Sequence, residues 1–166
     1  VAALTLTRLD YGCTTLAGLP ARQLNRLQSV LNAAARLVYS ARKSEHVSPL
    51  LRDLHWLRVP QRIEFRLAVL VHRCLSGTAP QYLARELQRV SDVDSHRRLR
   101  SASSASLHVP RTNHGTIGDR AFPVAAANVW NSLPPLITSL PSLLAFRRAL
   151  KTELFLRSYG NAPHQP

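Results

Sequence analysis

Apolar residues recur every three or four positions over three long stretches of this chain, a period that only helices packed against one another can bury. From Ala21 to about Ala41, the residues Leu24, Leu27, Leu31, Ala34 and Val38 form one such stripe, with Arg22, Arg26, Gln28 and Arg36 on the other face. The small trio Ala33-Ala34-Ala35 lets a second helix approach closely. Arg42 and Lys43 then fall where the helix dipole favours positive charge. A second stripe, Ile63, Leu67, Leu70, Val71, Cys74 and Leu75, starts near Pro60 and stops at Gly77. The third runs through Leu143, Phe146, Leu150 and Leu154.

Shorter elements fill the gaps. Ser48-Pro49 provides a capping residue and a proline for the first turn of a helix over Leu50 to Leu54. Leu54, Trp56 and Leu57 then read as an apolar plug between helices; base stacking by Trp56 and a phosphate contact by His55 are the sharper alternatives. Thr78-Ala79-Pro80 opens a helix through about Val90, with Tyr82, Leu83 and Leu87 inward. Phe122, Val124, Ala125, Val129 and Trp130 form another, entered through Pro123 and ended by Asn131-Ser132-Leu133-Pro134-Pro135. The expected fold is mainly α, with bundle-like helical clusters, a Ser/Arg-rich loop and room for one short edge strand or hairpin at Leu107 to Arg111, which Pro110 confines to an edge. Its divisions are residues 1–90, a polar linker 91–117, a second helical cluster 118–158 and a frayed tail 159–166. Leu27, Leu31, Trp56, Leu67, Phe122, Trp130, Phe146 and Leu150 are the core residues.

Charge indicates the partner. The formal net charge is +13, and of 22 basic residues only Lys43 and Lys151 are lysines. Arginine presents a planar fork of donors that matches phosphate oxygens and stacks on bases, so such a surface suits RNA or DNA; a codon bias toward arginine is the plain alternative, which leaves the positive field intact. His96-Arg97-Arg98-Leu99-Arg100 is the basic core of a Ser-rich stretch unable to bury a core, and Arg97, Arg98 and Arg100 there form a phosphate clamp or, more plainly, a solvated linker. Arg111, Arg147, Arg148 and Lys151 complete the nucleic-acid-binding set, the last three on an exposed helix face shared with Arg157.

Other chemistries find little support. Polymerase chemistry needs carboxylates that converge on magnesium ions, and the nearest candidates, Asp92 and Asp94, flank Val93 in a polar stretch. Cys13 and Cys74 have no partners at zinc spacing, and His72 and Cys74 point about 200° apart on a helix. Gly115 to Gly118 is too short a pair to be a phosphate loop, and no nucleophile elbow or acid-base pair is visible. No catalytic residue, metal or cofactor is expected, and no membrane segment, since Leu67 to Leu75 is far shorter than the ~20 residues of a span. No secretory signal is visible either, since Leu4 to Leu9 is too short and is broken by Arg8, so a soluble intracellular protein is expected; the start at Val1 and the lack of Met read as a fragment of a larger protein.

Many short blocks in one order carry a family resemblance: Arg8-Leu9-Asp10-Tyr11, Gly18-Leu19-Pro20, Leu27-Gln28, Asn32 to Val38, Leu54-His55-Trp56-Leu57, Ala79-Pro80 with Tyr82-Leu83, Leu99-Arg100-Ser101, Val109 to Thr112, Arg120-Ala121-Phe122, Trp130 to Pro135, and Phe146 with Ala149 to Thr152. Together they resemble the C-terminal portion of a reverse transcriptase from a LINE-type (non-LTR, jockey-like) retrotransposon. The stretch Tyr11-Gly12-Cys13-Thr14 departs from that family's usual Tyr-Cys-Asn-Ser. The resemblance implies a segment after the polymerase palm, following or overlapping the thumb, that is not an enzyme by itself. Its implied partners are template RNA, target DNA and the upstream palm, in the nucleus or a cytoplasmic ribonucleoprotein. A module docked on the polymerase core and a truncated remnant without function are the alternatives.

Overall fold

A computed structural model of the chain describes residues 2–92, 106–112 and 118–160. Among these it has eight α-helices: α1 (Ala2–Asp10), α2 (Ala21–Tyr39), α3 (Val47–Asp53), α4 (Val59–Leu75), α5 (Gln81–Ala84), α6 (Phe122–Asn131), α7 (Pro135–Thr138) and α8 (Leu143–Tyr159). The three long helices follow the three apolar stripes. Helix α4 is the hub, packed on α2, α6 and α8, because Ile63, Leu67, Val71 and Cys74 are joined in burial by Ala68 and His72. Leu31, Ala34 and Ala35 of α2 and Phe146, Leu150 and Leu154 of α8 close on the same core. The helices on either side of the polar linker therefore share one continuous apolar interior.

Leu31, Leu67, Phe146 and Leu150 are fully buried, and Trp56 and Trp130 nearly so. Leu27 and Phe122 are only partly buried and flank the core rather than fill it. Val38 does not join the α2 stripe. It lies near the end of the helix and is exposed, where Ser40 in a left-handed conformation turns the chain away.

Several boundaries differ from expectation for identifiable reasons. Helix α3 begins at Val47, so Ser48 and Pro49 lie inside its first turn, and no side chain caps it. The helix expected to run through Val90 stops at Ala84 and leaves Tyr82 exposed. Residues 88–90 are instead drawn into extended pairing: His108 N–H donates to Gln88 O at 2.8 Å and Val90 N–H to Ser106 O at 3.1 Å, around an antiparallel bridge between Arg89 and Leu107. That bridge is all that forms of the edge strand among the described residues. Asn131 explains why so short a pairing holds. Its side-chain amide donates to Leu107 O and its Oδ1 accepts from Leu107 N–H, both at 2.8 Å, so one asparagine completes the backbone bonds of a fully buried Leu107.

Two helices appear where none was expected, α1 and the short α7. The C-terminal helix also continues past the expected boundary at 158: Tyr159 is buried, and its hydroxyl donates to Trp56 O at 2.8 Å. Gln28, assigned to the outer face of α2, turns inward, and its Oε1 accepts from Val59 N–H at 2.8 Å. It thereby satisfies one of the donors that a helix start leaves open, here that of α4.

Candidate nucleic-acid interface

The junction between α3 and α4 shapes the site. Helix α3 ends in a Schellman arrangement: His55 N–H bonds Arg52 O and Trp56 N–H bonds Leu51 O, both at 2.9 Å, with His55 in the left-handed region at φ 53°. Histidine is one of the residue types found there more often than most. The reversal turns neighbouring side chains to opposite sides, His55 outward and Trp56 into the core. The Trp56 carbonyl is then fixed by Tyr159, whose ring has the guanidinium groups of Arg58 at 5.3 Å and Arg52 at 5.9 Å. Burial pushes the Tyr159 phenol above its ordinary pKa, an effect that the nearby arginines partly offset.

Beside this junction lies a cleft of about 390 Å³, walled by Leu6 and Asp10 of α1, Leu54 to Leu57, Arg62, Phe65 and Arg66 of α4, and Arg147 and Lys151 of α8. Four cations and one carboxylate thus share an open depression with an aromatic and aliphatic floor. The carboxylate is Asp10, which pairs with both Arg62 and Arg66. Burial alone would raise its pKa, but the hydrogen bonds and charges of the two arginines outweigh burial and hold the carboxyl below its ordinary value. Arg147 and Lys151 have no ion-pair partner among the described residues. They stand one helical turn apart and project to the same side of α8. Phosphate oxygens suit such a cleft, which brings the forked donors of Arg62 and Arg66 together with the cations of Arg147 and Lys151.

The expected binding residues divide sharply. Arg147 and Lys151 meet in the cleft, whereas Arg148 is exposed on α8 but does not line it. Arg157, on the same expected stripe, is committed to Glu153 at 2.9 Å and to Ser132 O at 3.2 Å. Arg111 is exposed on the segment pinned by Leu107, away from the cleft lining. Arg97, Arg98 and Arg100 lie outside the described residues, as do Asp94 and Gly115. Asp92 is exposed and accepts from Ser91 Oγ at 3.1 Å, and among the described residues no cluster of three His, Cys, Asp or Glu side chains is placed to hold a metal ion. Cys74 is a buried free thiol, pushed up in pKa by that burial and only partly relieved by Arg73.

The sequence carries little that marks Arg62, Arg66 and Asp10 as site residues. Arg62 and Arg66 repeat the four-residue spacing of Arg147 and Lys151, and that repetition is the signal they carried; Asp10 carried none. No helix among the described residues is long and apolar enough to cross a membrane. The chain matches no family model, no curated protein and no solved structure.

Proposed function

We propose that the chain is a non-catalytic C-terminal module of a retrotransposon RNA-directed DNA polymerase, which positions template RNA or target DNA through arginine–phosphate contacts. The observation that carries the binding part of this reading is the cleft that Arg147 and Lys151, free of carboxylates, line together with Arg62 and Arg66. The assignment to a retroelement polymerase rests on the ordered blocks of sequence. Two of those blocks are also neighbours in space: a Cβ on Gly18 would lie 2.7 Å from Cγ of Arg120.

The test is titration of the chain with fluorescent single-stranded RNA and with duplex DNA across a salt series. Log affinity should fall with log salt at about −0.7 per phosphate contacted on a single strand and about −0.9 on a duplex. Arg147→Ala with Lys151→Ala should weaken binding and flatten the slope by about 1.4 on RNA. Arg97→Ala with Arg98→Ala and Arg100→Ala, made separately, reports the contribution of the linker. Binding that is flat in salt, or unchanged in both variants, would overturn the proposal in favour of a module that docks through apolar surface.

A further inference from the structure

Helix α2 presents a second surface whose chemistry differs from that of the cleft. Its inner side is buried through Leu31, Ala34 and Ala35, while Val30 is 51% and Leu37 63% exposed. Val30, Ala33 and Leu37 follow one another at steps of three and four residues, so they form a single line along the outward face, spaced like the contact seam of paired helices. Arg26, one turn before Val30, continues the line, and Arg22 continues it a turn earlier, both exposed. From Arg22 to Leu37 the face spans about four turns, or roughly 22 Å. Val30, Ala33 and Leu37 thus leave an apolar strip in line with two arginines, a pattern that can seat a second helix.

Charge selects the partner. Between Asp10 and Glu45 the sequence contains no carboxylate, whereas it contains Arg22, Arg26, Arg36, Arg42 and Lys43. A second copy of the chain would bring no carboxylate to the seam: parallel pairing would set Arg22 and Arg26 against the same arginines, and antiparallel pairing would set them against Leu37 and Val30, leaving their charge uncompensated either way. A phosphate backbone would match Arg22 and Arg26 but would leave Val30 and Leu37 against polar groups. We infer that the outward face of α2 is a docking surface for an amphipathic helix of about four turns, with an apolar seam opposite Val30, Ala33 and Leu37 and acidic side chains opposite Arg22 and Arg26. The inference stands apart from the nucleic-acid reading, because none of these residues lines the basic cleft.

Because Val30 and Leu37 are exposed, Val30→Ser with Leu37→Ser changes surface only and should leave the fold intact by circular dichroism. The probe is a fluorescein-labelled synthetic helix with leucines along one seam and glutamates flanking it, titrated against the full chain. The first comparison peptide has serine in the seam, the second lysine at the flanks. The leucine–glutamate helix should bind, the serine-seam helix should bind at least about tenfold more weakly, and the Val30→Ser, Leu37→Ser variant should lose a similar factor. Arg22→Ala with Arg26→Ala should remove most of the preference for glutamate over lysine, while Arg147→Ala with Lys151→Ala should leave it in place. Equal binding of the serine-seam peptide would reduce the effect to bulk attraction between opposite charges and overturn the proposal. Full binding by the Val30→Ser, Leu37→Ser variant would overturn it as well. So would sedimentation of the free chain as a dimer that this variant disperses, since the occupant would then be a second copy.

Discussion

Replacing Asn131 should detach the 106–112 segment from the helical body. Its amide makes two 2.8 Å bonds to the backbone of Leu107; Leu107 is 1% exposed, but Asn131 itself is exposed, so water can take over part of the lost bonding. Asn131→Ala removes the side-chain partner of both the N–H and the C=O of Leu107. At about 0.5–1.5 kcal/mol for each bond, the loss is about 1–3 kcal/mol, or roughly 2–12 °C in melting temperature for a chain of this size. Asn131→Asp is the sharper perturbation, being nearly isosteric. It keeps the acceptor for Leu107 N–H but sets a carboxylate oxygen against Leu107 O, where a donor stood.

The aspartate variant therefore adds a pH signature. A protonated carboxyl has a hydroxyl with which to donate, so the folded state favours the protonated form and the introduced group should have a raised pKa. A raised folded pKa means that the recovered stability is fully present below the unfolded value near 3.9 and is lost as pH rises through the folded value. Urea unfolding of wild type, Asn131→Ala and Asn131→Asp at neutral and acidic pH measures this, each variant read as its difference from wild type at the same pH. Hydrogen exchange at Leu107 N–H should lose protection in the alanine variant. Differences below about 0.5 kcal/mol at neutral pH in both variants, with protection unchanged, would refute the claim that Asn131 anchors the segment.

Three further outcomes follow from the geometry. Asp10→Asn removes the charge shared by Arg62 and Arg66; with Arg66 partly exposed, the loss should be only about 1–2 kcal/mol by urea unfolding. Because the Asp10 pKa is lowered by folding, its contribution is present above about 3.9 and fades as pH falls through the lower folded value, so the gap between wild type and variant should close in acid. Gly18→Ala should cost about 1–2 kcal/mol, since φ is 72° and the new Cβ would meet Arg120; adding Arg120→Ala should recover only the part due to contact, leaving the backbone part in a double-mutant cycle. Tyr159→Phe should cost about 1 kcal/mol, seen as a lower urea midpoint at neutral pH, by removing the buried bond to Trp56 O.

The long helices were legible because a stripe repeated over four turns survives local exceptions such as Val38. What escaped notice was contact at long range between polar groups. Gln28 with Val59, Asn131 with Leu107 and Asp10 with Arg62 lie 31, 24 and 52 positions apart, and no period or spacing in a single sequence announces such pairs. The overextended helix after Pro80 has the same origin: local propensity favours continuing to Val90, but residues 88–90 bond to 106–108 instead, and tertiary pairing overrides it. Helix α1 is too short to show a long stripe; it packs on the core through Leu6 and Leu9 and adds the Asp10 carboxylate.

For the cleft, exposure of the charges was legible in the sequence, but not which of them share one depression. Arg147, Arg148, Lys151 and Arg157 read as one basic face of the last helix, yet Arg157 is held by Glu153 and Ser132 while Arg147 and Lys151 line the cleft with Arg62 and Arg66. A binding site made by two helices is a property of their relative rotation, which packing sets. Here that rotation follows from Phe146, Leu150 and Leu154, which lock one side of α8 into the core and set Arg147 and Lys151 at the cleft that Arg62 and Arg66 also line. Substituting the buried phenylalanine should therefore disturb the cleft without touching a single charge, whereas Arg148→Ala, on the same helix and equally exposed, should leave it unaltered.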